Sequence, residues 1–319
     1  MIKYYLSLLK NQLYREPSFI LKYYIHKVKK LDDSQVVPII YMADGKMLHG
    51  GLFDRLKGIV SIYAVSKIVG KKFGVYFVSP FSLEEYLVPN LYDWKVNDYD
   101  LIYSYPFSKP IIAYSEYKNP KRLFKDRGMQ VHFYYSWEIL NYINQKYGTS
   151  FEWTALYHEL FRPSDYLLKH VDEVKAEIGA YYFAVHLRFM NLLGDKVESQ
   201  KDTKLSEEER VELINSCVSK IEQLGSSMKF MAVVFSDSMV FLQEVKKELP
   251  EVYVVSGNAR HIGTASKTTD DENLKLFTDM YLMVDAQKVY SIVGKGLYSS
   301  AFPEYSAKIG NKPFERVEL

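Results

Sequence analysis

The chain has a single cysteine among its 319 residues, so no intramolecular disulfide can stabilise it. Cys217 lies in a predicted amphipathic helix, and a protein without disulfides is typical of a reducing compartment. No apolar run approaches the roughly 18 to 20 residues that a membrane span needs. The N-terminus also lacks the apolar core and small-residue cleavage site of a secretory signal. The sequence therefore predicts a cytoplasmic protein.

Several ligand-binding motifs are also absent. Neither the dinucleotide fingerprint GxGxxG nor the phosphate loop GxxxxGKS/T occurs, so a nicotinamide enzyme and a P-loop ATPase are not indicated. Histidine and cysteine do not cluster at zinc spacing. Asp98 and Asp100 form a DxD pattern that manganese-dependent transferases use, but they precede an apolar run instead of ending it. A net charge of +2 does not indicate a nucleic-acid partner. We expect a site without metal.

Charge is unevenly distributed, because residues 1–30 carry seven basic side chains and one acidic side chain. Tyrosine, phenylalanine, leucine and isoleucine are interleaved with these charges. One interpretation is an arm, residues 1–35, that attaches to an anionic membrane surface such as the inner face of the membrane. The other is a helical arm that packs on the adjacent domain and keeps its lysines in solvent. The sequence leaves both open.

The stretch that follows has the pattern of a βαβ unit. Residues 36–41 read as a buried strand, 52–69 have helical apolar spacing up to Gly70, and 73–78 begin a second strand. Gly50 and Gly51 form the turn before the helix. Backbone N–H groups and the helix dipole at such a turn favour an anion, so we expect a phosphate there, although a simple tight turn is the alternative.

Arg55 lies in the first turn of that helix, beside Asp54. A guanidinium at this point can bind a phosphate through two parallel hydrogen bonds. It can also pair with Asp54 at the surface. Farther on, residues 80–130 lack a regular pattern, 132–148 are predicted to form a helix, and 150–178 read as helical with Pro163 as a break.

The second half alternates strands and helices, which is typical of an open parallel sheet. Predicted strands occupy residues 180–188, 228–235, 252–257 and 288–293, separated by helices that end near 224, 249 and 286. Ser206 and Glu209 form a capping box that begins the first of these helices, and the last helix is predicted to begin at 272. Ligands bind beyond the carboxyl ends of the strands in such sheets. Polar residues lie at those ends or directly after them here, which predicts a binding site. They are His186, Arg188, Ser236, Asp237, Ser238 and the turn from Gly294 to Ser299.

Three segments resemble the motifs of the fucosyltransferase superfamily. They are the GGLFDRLKGI run, the HLR sequence at His186–Arg188, and the segment from Asp279 to Ser300. The superfamily includes α1,6-fucosyltransferases, rhizobial nodulation fucosyltransferases and protein O-fucosyltransferases. The resemblance implies a GT-B fold, an α/β fold of two Rossmann-like domains with a cleft between them. It also implies inverting, metal-independent transfer of fucose from GDP-fucose, with no cofactor.

The resemblance assigns roles to individual residues. Arg188 corresponds to the arginine that binds the donor β-phosphate, and His186 to the histidine that orients the site. Asp237 corresponds to the acidic position of the middle motif, unless it is only an N-cap. Asp279 would contact the guanine or the ribose. The diphosphate turn would comprise Gly294, Lys295, Gly296 and Ser299.

The chain also departs from the family pattern. Lysine stands at position 295, where relatives often have serine, and Phe189 replaces the second arginine of an HxRR motif. Inverting transfer needs a base that accepts the proton of the acceptor hydroxyl. Asp195 and Glu198, on the loop after HLR, are the candidates for this base. Each could instead be a solvated loop residue.

The sequence thus predicts an N-terminal Rossmann-like acceptor domain at 36–170 and a nucleotide-sugar domain at 171–319. We expect a glycosyltransferase that uses GDP-fucose to build a cell-surface glycan, with the acceptor contacts in 80–130. A transferase for another nucleotide sugar is one alternative. A non-catalytic nucleotide-sugar-binding assembly protein is the other.

Overall fold

The computed structural model describes residues 10–25, 37–105, 107–112, 129–195, 204–228, 230–257, 262–263 and 267–319. The chain divides into two compact units. The first unit contains residues 1–83 and 87–162, and the second contains residues 84–86 and 163–319. No helix in the described ranges is both long enough and apolar enough to cross a bilayer. Glu198 and the acceptor stretch 113–128 lie outside the described residues.

The first unit is built on a parallel sheet with strand order β2-β1-β5-β4. Strands β1 and β5 are buried along their whole length, as expected for parallel strands that are covered on both faces. The strands are β1 (Ile39–Ala43), β2 (Phe73–Phe77), β3 (Leu87–Pro89), β4 (Ser108–Ile112), β5 (Gln130–Tyr134) and β6 (Phe161–Pro163). The helices are α1 (Glu16–Tyr23), α2 (Leu52–Val69), α3 (Leu140–Tyr147) and α4 (Trp153–Leu160).

Helix α2 confirms the prediction for residues 52–69. Gly70 ends it in the left-handed conformation, with φ 64°, which glycine adopts at little cost. Gly58 lets the helix approach the sheet, because a Cβ atom there would lie 2.1 Å from the carbonyl oxygen of Tyr135. The preceding strand is shifted from the predicted 36–41 to Ile39–Ala43.

The helix predicted over residues 132–148 is wrong in its first half. Residues up to Tyr134 belong to strand β5, and helix α3 begins only at Leu140. The aromatic run His132–Tyr135 is completely buried, so it offers no polar side from which a helix and a strand could be told apart.

The described part of the arm packs on the first unit. The hydroxyl of Tyr24, which is fully buried, lies 2.6 Å from Nδ1 of His132. Nε2 of His132 donates to the side-chain oxygen of Gln130, so Nδ1 accepts the proton of Tyr24. The ring of Phe19 packs edge-on against Tyr134 at 5.1 Å. These contacts agree with a packed arm for residues 10–25, whereas attachment to a membrane stays a prediction.

The second unit has a parallel sheet with strand order β11-β10-β7-β8-β9. Its core comprises apolar residues of β7, β8, β10 and the helices that follow β7 and β8. The strands are β7 (Tyr182–Leu187), β8 (Met231–Ser236), β9 (Tyr253–Val254), β10 (Val289–Val293) and β11 (Phe314–Glu318). The helices are α5 (Asp165–Ile178), α6 (Glu207–Ser227), α7 (Met239–Glu248), α8 (Asp270–Asp285) and α9 (Phe302–Ile309).

Local signals fix several helix ends in this unit. The capping box of Ser206 and Glu209 at the start of α6 is confirmed. A second capping box, formed by Thr269 and Glu272, starts α8 two residues before the predicted position 272. Helix α5 spans the position 170/171, where the sequence placed the domain boundary.

Candidate functional site

His186 lies near the carboxyl end of β7 and is buried. Its ring stacks on Phe302 of α9, with ring centroids 5.9 Å apart. Burial, together with the positive charges of Arg188 and Lys275, lowers the pKa of His186 to about 3. The imidazole is therefore neutral at physiological pH, and it can orient a neighbouring group but does not supply a cation.

Arg188 follows β7 directly and is held from two sides. Its Nε atom lies 4.0 Å from Oδ2 of Asp237, and its guanidinium lies over the ring of Tyr298 at 4.9 Å. The backbone joins the same partners, because the N–H of Tyr298 donates to the carbonyl oxygen of Arg188 at 2.9 Å. A guanidinium fixed in this way by an anion and an aromatic face is preorganised to bind a further anion.

Asp237, at the end of β8, holds the loop that carries Arg188. Its carboxylate accepts the backbone N–H groups of Phe189 at 2.8 Å and of Met190 at 2.9 Å. Met190 has φ 54°, an uncommon value for a residue other than glycine. The alternative interpretation of Asp237 as an N-cap is wrong, because Ser238 is the residue that caps α7.

The serines next to Asp237 are used within their own turn. The hydroxyl oxygen of Ser236 accepts the N–H of Ser238 at 3.1 Å. The hydroxyl oxygen of Ser238 accepts the N–H of Phe241 at 3.2 Å and donates to Asp195 at 2.8 Å. Both serines are buried, so their hydroxyl groups stabilise the junction between β8 and α7.

Asp195 is attached to the start of α7. Its Oδ2 atom accepts the hydroxyl proton of Ser238 and, at 3.1 Å, the N–H of Val240. Negative charge is favourable at a helix N-terminus. The loop after β7 and the turn after β8 are thus joined by two carboxylates. Asp195, in the loop after β7, binds the start of α7, and Asp237, in the turn after β8, binds the backbone of the loop. Asp195 is therefore more than a solvated loop residue, and its role as a base stays a prediction.

The turn after β10 has the backbone geometry expected of its glycines. Gly294, Lys295 and Gly296 all have positive φ, at 96°, 44° and 89°. Glycine adopts these values without steric cost, whereas a positive φ is uncommon for a residue with a side chain such as Lys295. The Lys295 side chain reaches α6, where its Nζ atom lies 3.1 Å from the hydroxyl of Ser216. Ser299 is exposed and offers its hydroxyl to solvent.

Asp279 and Lys275 form a buried ion pair one turn apart on α8. The Nζ atom of Lys275 donates to Oδ1 of Asp279 at 2.6 Å. Burial raises the pKa of Asp279, and the charge of Lys275 opposes that shift. The charge of Lys275 also contributes to the lowered pKa of His186. Contact of Asp279 with a base or a ribose stays a prediction.

The glycine turn of the first unit is arranged differently from the sequence interpretation. Arg55 is buried, and it donates from Nε to the carbonyl oxygen of Gly50 at 3.1 Å and from Nη1 to that of Ser79 at 2.6 Å. A surface pair of Arg55 with Asp54 is therefore wrong. Asp54 forms an ion pair with Lys57 at 2.8 Å.

Gly50 is required by α2 itself. A Cβ atom at this position would lie 2.2 Å from Oδ2 of Asp54. Gly51 is the N-cap residue, with an extended backbone, and its carbonyl oxygen accepts the N–H of Arg55. These contacts account for the glycine at position 50 without a ligand, and they leave the expected phosphate contact a prediction.

Sequence reasoning missed three residues around these sites. Tyr298 supports Arg188, Lys275 binds Asp279, and His49 is buried between Tyr41 and Tyr134 beside the glycine turn. Tyr298 lies within the predicted turn from Gly294 to Ser299, and Lys275 lies four residues before Asp279. The sequence thus contained a signal for both, but none for His49.

Comparison with solved structures identifies proteins of similar fold. NodZ α1,6-fucosyltransferase soaked with GDP-fucose matches with a TM-score of 0.53 and 13% identity, over 85% of this chain and 92% of that chain. NodZ from Bradyrhizobium matches with a TM-score of 0.52 and 14% identity, over 84% and 91%. A variant of Arabidopsis thaliana FUT1 in complex with GDP matches with 0.54 and 10%, over 95% and 73%.

The chain shares the fold of these proteins. The expected α/β fold of the GT-B type, with two Rossmann-like domains, is thereby confirmed. No family model matches the chain, and no curated protein matches its sequence. The cleft expected between the domains stays a prediction.

The part of the chain that the structure describes contains no group of three or more histidine, cysteine, aspartate or glutamate side chains that could hold a metal ion. Asp98 and Asp100 lie in a short 3₁₀ turn, where Asp98 accepts the hydroxyl of Tyr76 and Asp100 accepts the N–H of Asn97. These two carboxylates stabilise the turn, and metal independence stays a prediction.

Proposed function

We propose that this protein is a glycosyltransferase that transfers fucose from GDP-fucose to a glycan acceptor. The observation that supports this proposal most directly is the fixed position of Arg188, between Asp237 and Tyr298 at the carboxyl edge of a Rossmann-like sheet. The fold agrees with it, since NodZ of the same fold was soaked with GDP-fucose and the FUT1 variant is a complex with GDP.

The proposed reaction is a displacement with inversion and without a metal ion. As the bond between fucose and the β-phosphate breaks, negative charge grows on the leaving GDP. A fixed guanidinium stabilises that charge more in the transition state than in the bound donor, and this difference accelerates the reaction. Backbone N–H groups of the turn at Gly294–Gly296 would bind the same diphosphate, because Tyr298 joins that turn to Arg188.

Other roles follow from this assignment. His186, Ser236 and Ser238 would keep the pocket in shape, and Asp279 and Ser299 would contact the nucleotide. We also propose that Gly50, Gly51 and Arg55 bind a phosphate in the first unit. We propose Asp195 or Glu198 as the base. We also place the reaction in the cytoplasm, in the synthesis of a cell-surface polysaccharide.

Isothermal titration with GDP, GDP-fucose and UDP tests the donor. We expect GDP and GDP-fucose to bind and UDP to bind far more weakly, with no change on addition of EDTA. Replacing Arg188 with alanine should lower turnover on the order of 100-fold or more, as for other groups that stabilise transition-state charge. Arg316→Ala is the matched control, because Arg316 lies on β11 and pairs with Glu304.

Three results would contradict the proposal. Equal binding of UDP would exclude a guanine-specific donor site. Full turnover by Arg188→Ala would remove Arg188 from the reaction. Binding of GDP-fucose without transfer to any acceptor extract would indicate a nucleotide-sugar-binding protein, and transfer from a different GDP-sugar in a donor panel would change the substrate.

A further inference from the structure

The arm has two different faces in the structure. Its inward face packs on the first unit through Phe19 and Tyr24. Its outward face carries large apolar side chains that touch solvent, in the π-helical turn before α1, in α1 and directly after it. These residues, which we call the outer arm face, are Leu13 (73% exposed), Tyr14 (69%), Leu21 (60%) and Ile25 (50%).

Such a concentration of exposed apolar side chains within one short segment differs from the single exposed residues that are normal on protein surfaces. The same segment already buries an apolar face against its own domain. A helix that needed only to pack would keep polar residues on its outer side. The outer arm face therefore indicates a second contact, made with something outside the domain.

The charges of the arm indicate the kind of surface that it contacts. Lys10 and Lys22 are exposed beside the outer arm face. Glu16, the one acidic residue among positions 1–30, is buried. The exposed charges of the segment are thus positive, and the sequence adds further lysines at positions 3, 27, 29 and 30. An equally basic arm of a second copy would be repelled, whereas an anionic surface would be attracted.

We propose that the outer arm face binds the surface of a bilayer that contains anionic phospholipids. The apolar side chains enter the boundary between headgroups and acyl chains, and the lysines contact the phosphate groups. The first unit stays in solution, attached through Tyr24 and Phe19. This inference does not depend on which reaction the protein catalyses.

Vesicle sedimentation tests the proposal with the full chain. We expect binding to vesicles of phosphatidylcholine and phosphatidylglycerol, little binding to phosphatidylcholine alone, and a decrease at high salt. Leu13→Ser/Leu21→Ser should weaken binding on the order of tenfold or more. Lys10→Gln/Lys22→Gln should weaken it about fivefold for each lysine removed.

The matched control is Leu48→Ser/Leu91→Ser, because these leucines are in the same unit and are 81% and 79% exposed. It should bind vesicles like the unmodified chain, and circular dichroism should show every variant folded. Equal binding by the Leu13/Leu21 variant, or no preference for anionic vesicles, would overturn the proposal. A dimer in light scattering that this variant converts to monomer would assign the outer arm face to a second copy.

Discussion

At the scale of single residues, two carboxylates join the loop after β7 to the turn after β8 in the second unit. Asp237 binds the backbone after β7, and Asp195 binds the start of α7. Each is an acceptor for two donors, and hydrogen bonds to charged groups are stronger than those between neutral groups. The position of Arg188 therefore depends on carboxylates that also hold the backbone directly after it and the start of α7.

Replacing Asp237 with asparagine tests this dependence. The amide retains one oxygen acceptor, brings an N–H₂ group toward a backbone donor and removes the charge near Arg188. We expect the free energy of unfolding to fall by about 1–3 kcal/mol, the usual cost of leaving a buried donor unsatisfied. Urea denaturation measures this loss. Asp172→Asn, at an exposed position of α5, is the control and should change stability by less than about 0.5 kcal/mol.

The same residues show how far a sequence can predict a site. His186, Arg188 and Asp237 were predicted because each lies at the carboxyl end of a buried strand or directly after it. Their partners could not be predicted, because the bond from Phe189 to Asp237 joins residues 48 positions apart. Gly50 illustrates the opposite error, since a glycine before a helix suggested a ligand where the neighbouring Asp54 side chain already required it.

At the scale of secondary-structure elements, local signals performed well where a helix had clear ends. Gly70 and the box of Ser206 and Glu209 placed helix termini correctly. Strand β5 could not be predicted in this way, since a short strand buried on both faces has no alternation of polar and apolar residues. Its central place in the sheet depends on pairing with β1 and β4, which are distant in sequence.

Two glycines in helices give a matched test of packing. Gly58→Ala should destabilise the protein by about 1–3 kcal/mol, because its Cβ would overlap the carbonyl oxygen of Tyr135 and push α2 from the sheet. Gly225→Ala places a Cβ in open space on α6 and should stabilise by about 0.5–1 kcal/mol. Urea denaturation of both variants decides, and equal effects would show that α2 does not approach the sheet so closely.

At the scale of the whole molecule, both units bury neutral histidines. Burial lowers the pKa values of His49, His132 and His186 to about 3, from 6.5. Below pH 6.5 the unfolded chain binds protons at these positions that the folded protein does not bind. Stability should therefore be complete above about pH 6.5 and decrease as the pH falls toward 3.

The expected loss at pH 5 is about 2 kcal/mol for each histidine, since each pH unit below 6.5 costs about 1.4 kcal/mol. Urea denaturation between pH 7 and pH 5 measures it. The slope of the free energy of unfolding against pH gives the number of protons taken up on unfolding, and His49→Gln should lower that number by about one. A stability that is flat over this range would contradict the burial of neutral imidazoles.

The domain plan was predictable only in outline. Alternating strands and helices predicted two α/β domains, which the fold confirms. The boundary was not predictable, because residues 84–86 join the second unit through a contact of distant residues. Tyr86 stacks on Phe277 with ring centroids 4.6 Å apart.

The burial of Tyr24 also determines where this chain can be shortened. Its hydroxyl binds His132, and its ring packs against Tyr103, so the arm supplies part of the core of the first unit. A chain that began after the arm would lose that aromatic ring and leave His132 without the donor it now has. The segment that we propose to attach the protein to a membrane thus also contributes to the core of the first unit. Substitutions in it during evolution must satisfy folding on one side and attachment on the other.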